Sequence, residues 1–243
     1  MQAAAAASRV ARADLLRRWM PVLTLAALVA VVGALQPGFL EPATLLQLGS
    51  DTATVFVLAI GVGFVIMLGG IDLSIQSMAS LASVIVALTV SRFGYGAFAL
   101  AVLAGAIAGC LGGLAHVKLR IPSFIATLAV GGVLAGTALV ISKERSITLG
   151  EADRAYLTWI TGNTAGVPHE VLIGAAVALL AHVVQGRTRF GRYSAAIGAG
   201  EAAAYASGVK VDRQKVLAFT LSSALAAFAG VMLAGRLASG SPT

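Results

Sequence analysis

Apolar stretches of bilayer-crossing length follow one another along this chain, separated by short polar segments. Runs occupy 19–36, 52–68, 73–90, 97–115, 123–141, 171–184 and 216–234. A spanning helix needs about 20 predominantly apolar residues, and most of these runs approach that length. The run at 171–184 is the short one, expected to be tilted or shielded by neighbours. The pattern predicts an all-α, polytopic transmembrane helix bundle of about seven spans. Only 11% of residues are charged, against about 25% in soluble domains. A soluble fold could not hide so much apolar surface, so lipid must be part of the solvent.

Residues 1–18 form a basic N-terminal segment with Arg9, Arg12, Arg17 and Arg18. A basic segment before an apolar run also suits a signal peptide, but the run exceeds the usual h-region of about 7–15 residues. The remaining residues, 19–243, read as one membrane domain. Placing the N-terminus in the cytoplasm and alternating crossings puts twelve of the 17 basic residues inside: the four above, Lys118, Arg120, Arg187, Arg189, Arg192, Lys210, Arg213 and Lys215. Five fall outside: Arg92, Lys143, Arg145, Arg154 and Arg236. The bias fits the positive-inside rule. It makes 185–215 cytoplasmic and 143–168 an external hydrophilic loop, with a short helix expected over 152–160. The net charge of +7 is scattered between spans rather than gathered into a patch, so it speaks for a membrane and against nucleic acid.

Residue clusters for chemistry are scarce. His116, His169 and His182 lie near span ends without metal-ligand spacing. There is no phosphate-binding Walker loop and no nucleophile elbow. Cys110 sits within an apolar run as a small packing residue. The chain reads as no enzyme, and energy for any transport must come from a partner or an ion gradient. A secondary transporter would need buried titratable groups. Only Asp51 and Asp72 qualify, and Asp51 reads as an interface residue.

Gly69-Gly70-Ile71-Asp72-Leu73-Ser74 separates two apolar runs. It can be a helix break with Asp72 or Ser74 capping the next helix, or irregular backbone lining a pathway. Gly105, Gly109 and Gly113 recur every four residues, as do Gly132 and Gly136, and Ala226, Gly230 and Ala234. Such stripes let helices approach closely in lipid. In 185–215, glycines flank a helix-favouring alanine-rich run from Glu201 to Ser207. It reads either as a solvated helical turn or as a rigid helix shaped to dock on another protein.

Three of these segments carry a family resemblance. The Gly69–Ser74 run resembles the G-G-I-D-L-S signature of ribose-type permeases of ABC importers. Pro122-Ser123-Phe124-Ile125-Ala126-Thr127-Leu128 resembles their P-x-F-I-A-T-L stretch, and residues 188–213 resemble the loop that meets their ATPase. The resemblance implies a permease of the bacterial plasma (inner) membrane for a monosaccharide such as ribose or another pentose or hexose. A permease of the same family for another small polar solute, or a fragment that does not transport, is the alternative. It implies dimerisation with a like or unlike second permease subunit, delivery by a periplasmic sugar-binding protein, and ATPase subunits that bind the ATP and magnesium. It further implies that Gly191, Arg192, Gly198, Glu201, Ala202, Ala203, Ser207 and Gly208 belong to the ATPase-coupling segment, and that Gly69, Gly70, Asp72 and Ser74 lie near the pathway. Gln76 stands where the family commonly has Gly, and Gly200 where it commonly has Asn. Family members continue past a segment like 235–243, so the chain is expected to be a C-terminally truncated permease with the Gly230 face left unpartnered.

Overall fold

The computed structural model describes residues 2–242, with side chains described at Arg17 and from Trp19 onward. The expectations placed on Arg9, Arg12 and Arg18 therefore lie outside the described side chains. Two compact units divide the chain at Leu48 and Gly49. In the first, α1 (Gln2–Leu35) carries the apolar stretch Trp19–Leu35 and stops before Pro37, which opens a 3-10 turn over Pro37–Leu40. Proline lacks an amide proton and fixes φ, so it ends one helix and suits the first turn of the next. Pro42 begins α2 (Pro42–Ile66), which continues into the second unit.

The second unit is a helix bundle: α3 (Ile75–Phe93), α4 (Gly96–Leu119), α5 (Ser123–Ser142), α8 (His169–Arg187) and α11 (Val211–Leu237) accompany α2. Six described helices, these five and α2, are long and apolar enough to cross a membrane. The chain is thus an all-α polytopic membrane protein.

α11 is the helix on which α3 and α4 pack, while α5 lies against α3 and α4. Gly105, Gly109 and Gly113 of α4 lie against Ala227, Ser223, Phe219 and Val216 of α11. A Cβ at Gly109 would overlap the Phe219 carbonyl oxygen, so the four-residue glycine spacing is a groove that seats α11. On another side, Gly230 lies against the Ala79 backbone and 2.8 Å, by a virtual Cβ, from Ala82. The expectation of an unpartnered Gly230 face is corrected: α3 covers it. Gly132 and Gly136 differ from the other stripes. Among the described residues nothing lies within 4 Å of a Cβ at either, so they mediate no close packing there. Val133 and Val140 on the same helix are also widely exposed.

α8 is longer than its apolar run suggested. Polar His169, Glu170, Gln185 and Arg187 extend it to 19 residues, close to the roughly 30 Å of a hydrocarbon core at 1.5 Å per residue. Only 11% of its apolar stretch is buried, so among the described residues its neighbours shield little of it.

Residues 143–168 are not a plain hydrophilic loop. They contain β1 (Ile147–Thr148), α6 (Glu151–Arg154), a 3-10 turn, α7 (Thr158–Thr161) and the hairpin β2 (Asn163–Thr164) with β3 (Val167–Pro168). β1 pairs with β4 (Ser239–Gly240) beyond α11. Leu149, Leu157 and Ile160 are buried, the latter two against Gly235. These few apolar side chains turn an otherwise polar stretch into a cap over the C-terminal end of α11. Asp51 of α2 pairs with Arg236 of α11 at that same end.

Candidate functional site

α2 ends in a Schellman motif. The Gly70 amide donates to the Val65 carbonyl at 3.0 Å and the Gly69 amide to that of Ile66 at 2.9 Å. Gly69 has φ +75°, a left-handed conformation that side chains resist. The chain then runs extended. The Ile71 amide donates to Ser123 Oγ and the Leu73 amide to Thr127 Oγ1, both at 3.0 Å. Residues two apart on extended chain are separated by about 6.6 Å, and residues four apart on a helix by about 6 Å. This near match lets one face of α5 serve as a hydrogen-bonding rail for the strap. The two signatures read in the sequence are therefore one structural object.

Asp72 points away from that rail and is 3% exposed. Its Oδ1 accepts from the Ser74 amide at 3.0 Å and the Ser74 hydroxyl at 2.6 Å, and its Oδ2 accepts from Ser222 Oγ of α11 at 2.8 Å. Ser74 occupies the N-cap position of α3, but its hydroxyl serves Asp72 and makes no capping bond. Among the described residues no cation pairs with this carboxylate. Three donors and the N-terminal end of α3 hold it instead. Asp72 and Ser74 thus join the strap to α11.

The expected coupling segment begins after α8. Thr188 Oγ1 donates to the Val184 carbonyl at 2.5 Å and accepts from the Gly191 amide at 3.4 Å, turning the chain into α9 (Arg189–Ala199). Gly191 is buried against the backbone of Gln185. Gln214 Nε2 of α11 donates to the Phe190 carbonyl at 2.8 Å and to Ser194 Oγ at 2.9 Å, fixing α9. A Cβ at Gly198 would overlap the carbonyl oxygen of Met67, so α9 rests directly on the end of α2.

α10 (Glu201–Ala206) follows, with Ala204 alone buried. Ala202, Ala203, Ser207 and Gly208 are exposed, as is Arg192 on α9. The Glu201 carboxylate takes two 2.8 Å bonds from Lys215 Nζ of α11. Tyr205, not singled out from the sequence, is 75% exposed. A cavity of about 90 Å³ lies between strap and coupling segment, lined by Gly69, Gly70, His116, Ser123, Glu201 and Lys215. The expected pathway and coupling residues thus meet at one end of the bundle. A larger apolar groove of about 690 Å³ lies between α2 and α8 and touches neither.

Sequence reasoning missed Ser222, Gln214 and Lys215. The polar pair Ser222–Ser223 inside the last apolar run was the available signal for the first.

Residues 44–243 match the family described as branched-chain amino acid transport system, permease component. The chain is 35% identical over 228 residues to the ribose import permease protein RbsC of Escherichia coli (strain K12), covering 91% of this chain and 70% of that protein. It is 36% identical over 228 residues to the protein of that name from Bacillus subtilis (strain 168), covering 92% and 70%. Against the autoinducer 2 import system permease protein LsrC of Enterobacter sp. (strain 638) it is 33% identical over 225 residues, covering 88% and 63%. No solved structure matches the chain.

Proposed function

Because the chain belongs to the family of branched-chain amino acid transport system permease components, we propose that it carries a monosaccharide of the ribose class across the bacterial plasma membrane, moved by a separate ATPase that docks on α10. ATP and magnesium are the partner's. A binding protein delivers the sugar at the opposite face, and a second permease subunit completes the pathway. The relatives named for ribose import, at 35% and 36% identity, support the solute class.

The single observation that carries the coupling is the seat of Gly198 on the Met67 carbonyl. α10 offers an exposed alanine face and the Tyr205 ring, the form of surface that fits a groove in another protein. Glu201 is held by Lys215, so its part is to tether α10 to α11. A push on α10 reaches α9 and bears on Met67. It then passes along the strap to α5 through Ser123 and Thr127, and to α11 through Asp72 and Ser222. Small residues and buried hydrogen bonds transmit such a displacement because packed elements move as units.

The test is uptake of labelled ribose by cells carrying the ATPase and binding protein, with and without this chain. Uptake that depends on the chain and on ATP supports the reading; equal uptake without it refutes the role. The LsrC relative at 33% identity favours a second reading, a permease for another small polar solute. Competition of ribose uptake by unlabelled solutes separates the two.

A further inference from the structure

Arg189 at the start of α9, and Lys210 and Arg213 at the start of α11, line one cleft of about 480 Å³. Phe190, Tyr193, Gly208, Gln214 and Leu217 complete its wall. No carboxylate lines it, and among the described residues none of the three cations is ion-paired. The acidic side chains nearby in sequence face elsewhere. Glu201 and Asp212 line a separate cavity with Arg120, Tyr205 and Lys215, on the α10 side. The carboxylates on the α10 side therefore share their cavity with cations, Lys215 being paired with Glu201, whereas the cleft of Arg189, Lys210 and Arg213 holds cations without a carboxylate. The positive-inside bias accounts for basic residues on this side of the membrane; it does not account for three converging on a single cleft without a counter-ion.

We propose that this cleft binds the phosphate of an anionic membrane phospholipid. Three converging cations give charge-assisted donors to phosphate oxygens. Leu217, one turn further into α11 than Arg213, is 40% exposed and offers apolar surface for the start of an acyl chain. Tyr193, 41% exposed, is the amphipathic ring expected at headgroup level. Basic pockets beside membrane helices on the cytoplasmic side take anionic headgroups in this way. A free phosphate ion would satisfy the cations but leave Leu217 and Tyr193 without a role.

The test uses the full chain purified in mild detergent and reconstituted in nanodiscs of phosphatidylcholine with a minor share of phosphatidylglycerol. Bound phosphatidylglycerol is measured by native mass spectrometry. The expected result is enrichment over its bulk share, falling about fivefold for each of Arg189→Gln, Lys210→Gln and Arg213→Gln. Arg213→Lys should retain most of it. Unchanged enrichment in all three Gln variants overturns the proposal. Displacement of the lipid by millimolar inorganic phosphate shows a phosphate site and overturns it too. Loss of ATPase capture with lipid retention unchanged assigns the cations to the protein partner and likewise overturns it. A thermal melt of each variant identifies any that misfold, and the single Lys210→Gln change at an exposed position keeps a folded variant in the set. Lipid retention is read on the permease alone, so that measurement does not depend on the sugar or on coupling.

Discussion

The Thr127 hydroxyl receives the amide proton of Leu73 at 3.0 Å, binding an extended strap to a helix 54 residues later in the chain. Thr127 is 2% exposed, so water cannot replace it. Thr127→Val keeps the shape and leaves the Leu73 amide without its partner, which should destabilise the fold by about 1–3 kcal/mol. Thr127→Ser should restore most of the loss. A thermal unfolding series on the purified protein checks the order.

Asp72 collects three donors in a buried site. Asp72→Ala strands all of them, whereas Asp72→Asn keeps one acceptor oxygen for Ser74. The alanine variant should therefore be the less stable, by about 1–3 kcal/mol relative to asparagine. Equal melting of the two would show that the carboxylate is not the clasp between strap and α11.

The glycine stripes separate by partner. Gly109→Leu must drive α4 off the α11 backbone and should abolish the folded form, since overpacking of about 1–3 kcal/mol or more follows even smaller intrusions. Gly132→Ala and Gly136→Ala meet open space and should leave the melting of the isolated chain unchanged. Yield and melting in detergent measure both.

On α10, Tyr205 and Glu201 should behave differently. Tyr205→Ala removes the exposed ring and should weaken ATPase capture by about 2 kcal/mol, roughly thirtyfold in Kd. Glu201→Gln loses a partly exposed ion pair worth about 0–1 kcal/mol and should weaken capture little. Surface-immobilised ATPase with titrated permease gives both constants.

Much of this was legible in residue order, and the reasons differ by feature. Spans could be read because lipid demands long apolar helices and proline and glycine punctuate them, as at Pro37 and Gly69. The Gly109 stripe could be read because its spacing matches the helix period. What lay hidden was pairing across distance. Nothing local to Ser222 or Gln214 announces that one meets Asp72 and the other meets Ser194. The cap that 143–168 forms over the end of α11 was missed because the three apolar residues it buries, Leu149, Leu157 and Ile160, give no periodic signal in a polar stretch. The Gly132 stripe has the spacing of the Gly109 stripe, yet spacing alone does not say whether the partner lies in the same chain.

The contact between Gly198 and Met67 is the most direct place to test coupling. Gly198→Ala inserts a methyl group where the Met67 carbonyl stands, altering the link without touching the exposed face of α10. The decisive measurement is ATP-driven uptake of labelled ribose alongside ATPase capture in the assembled transporter. Capture should stay at the level of the parent chain while uptake per ATP hydrolysed falls roughly 2- to 30-fold. Uptake per ATP equal to that of the parent chain would contradict transmission through this contact.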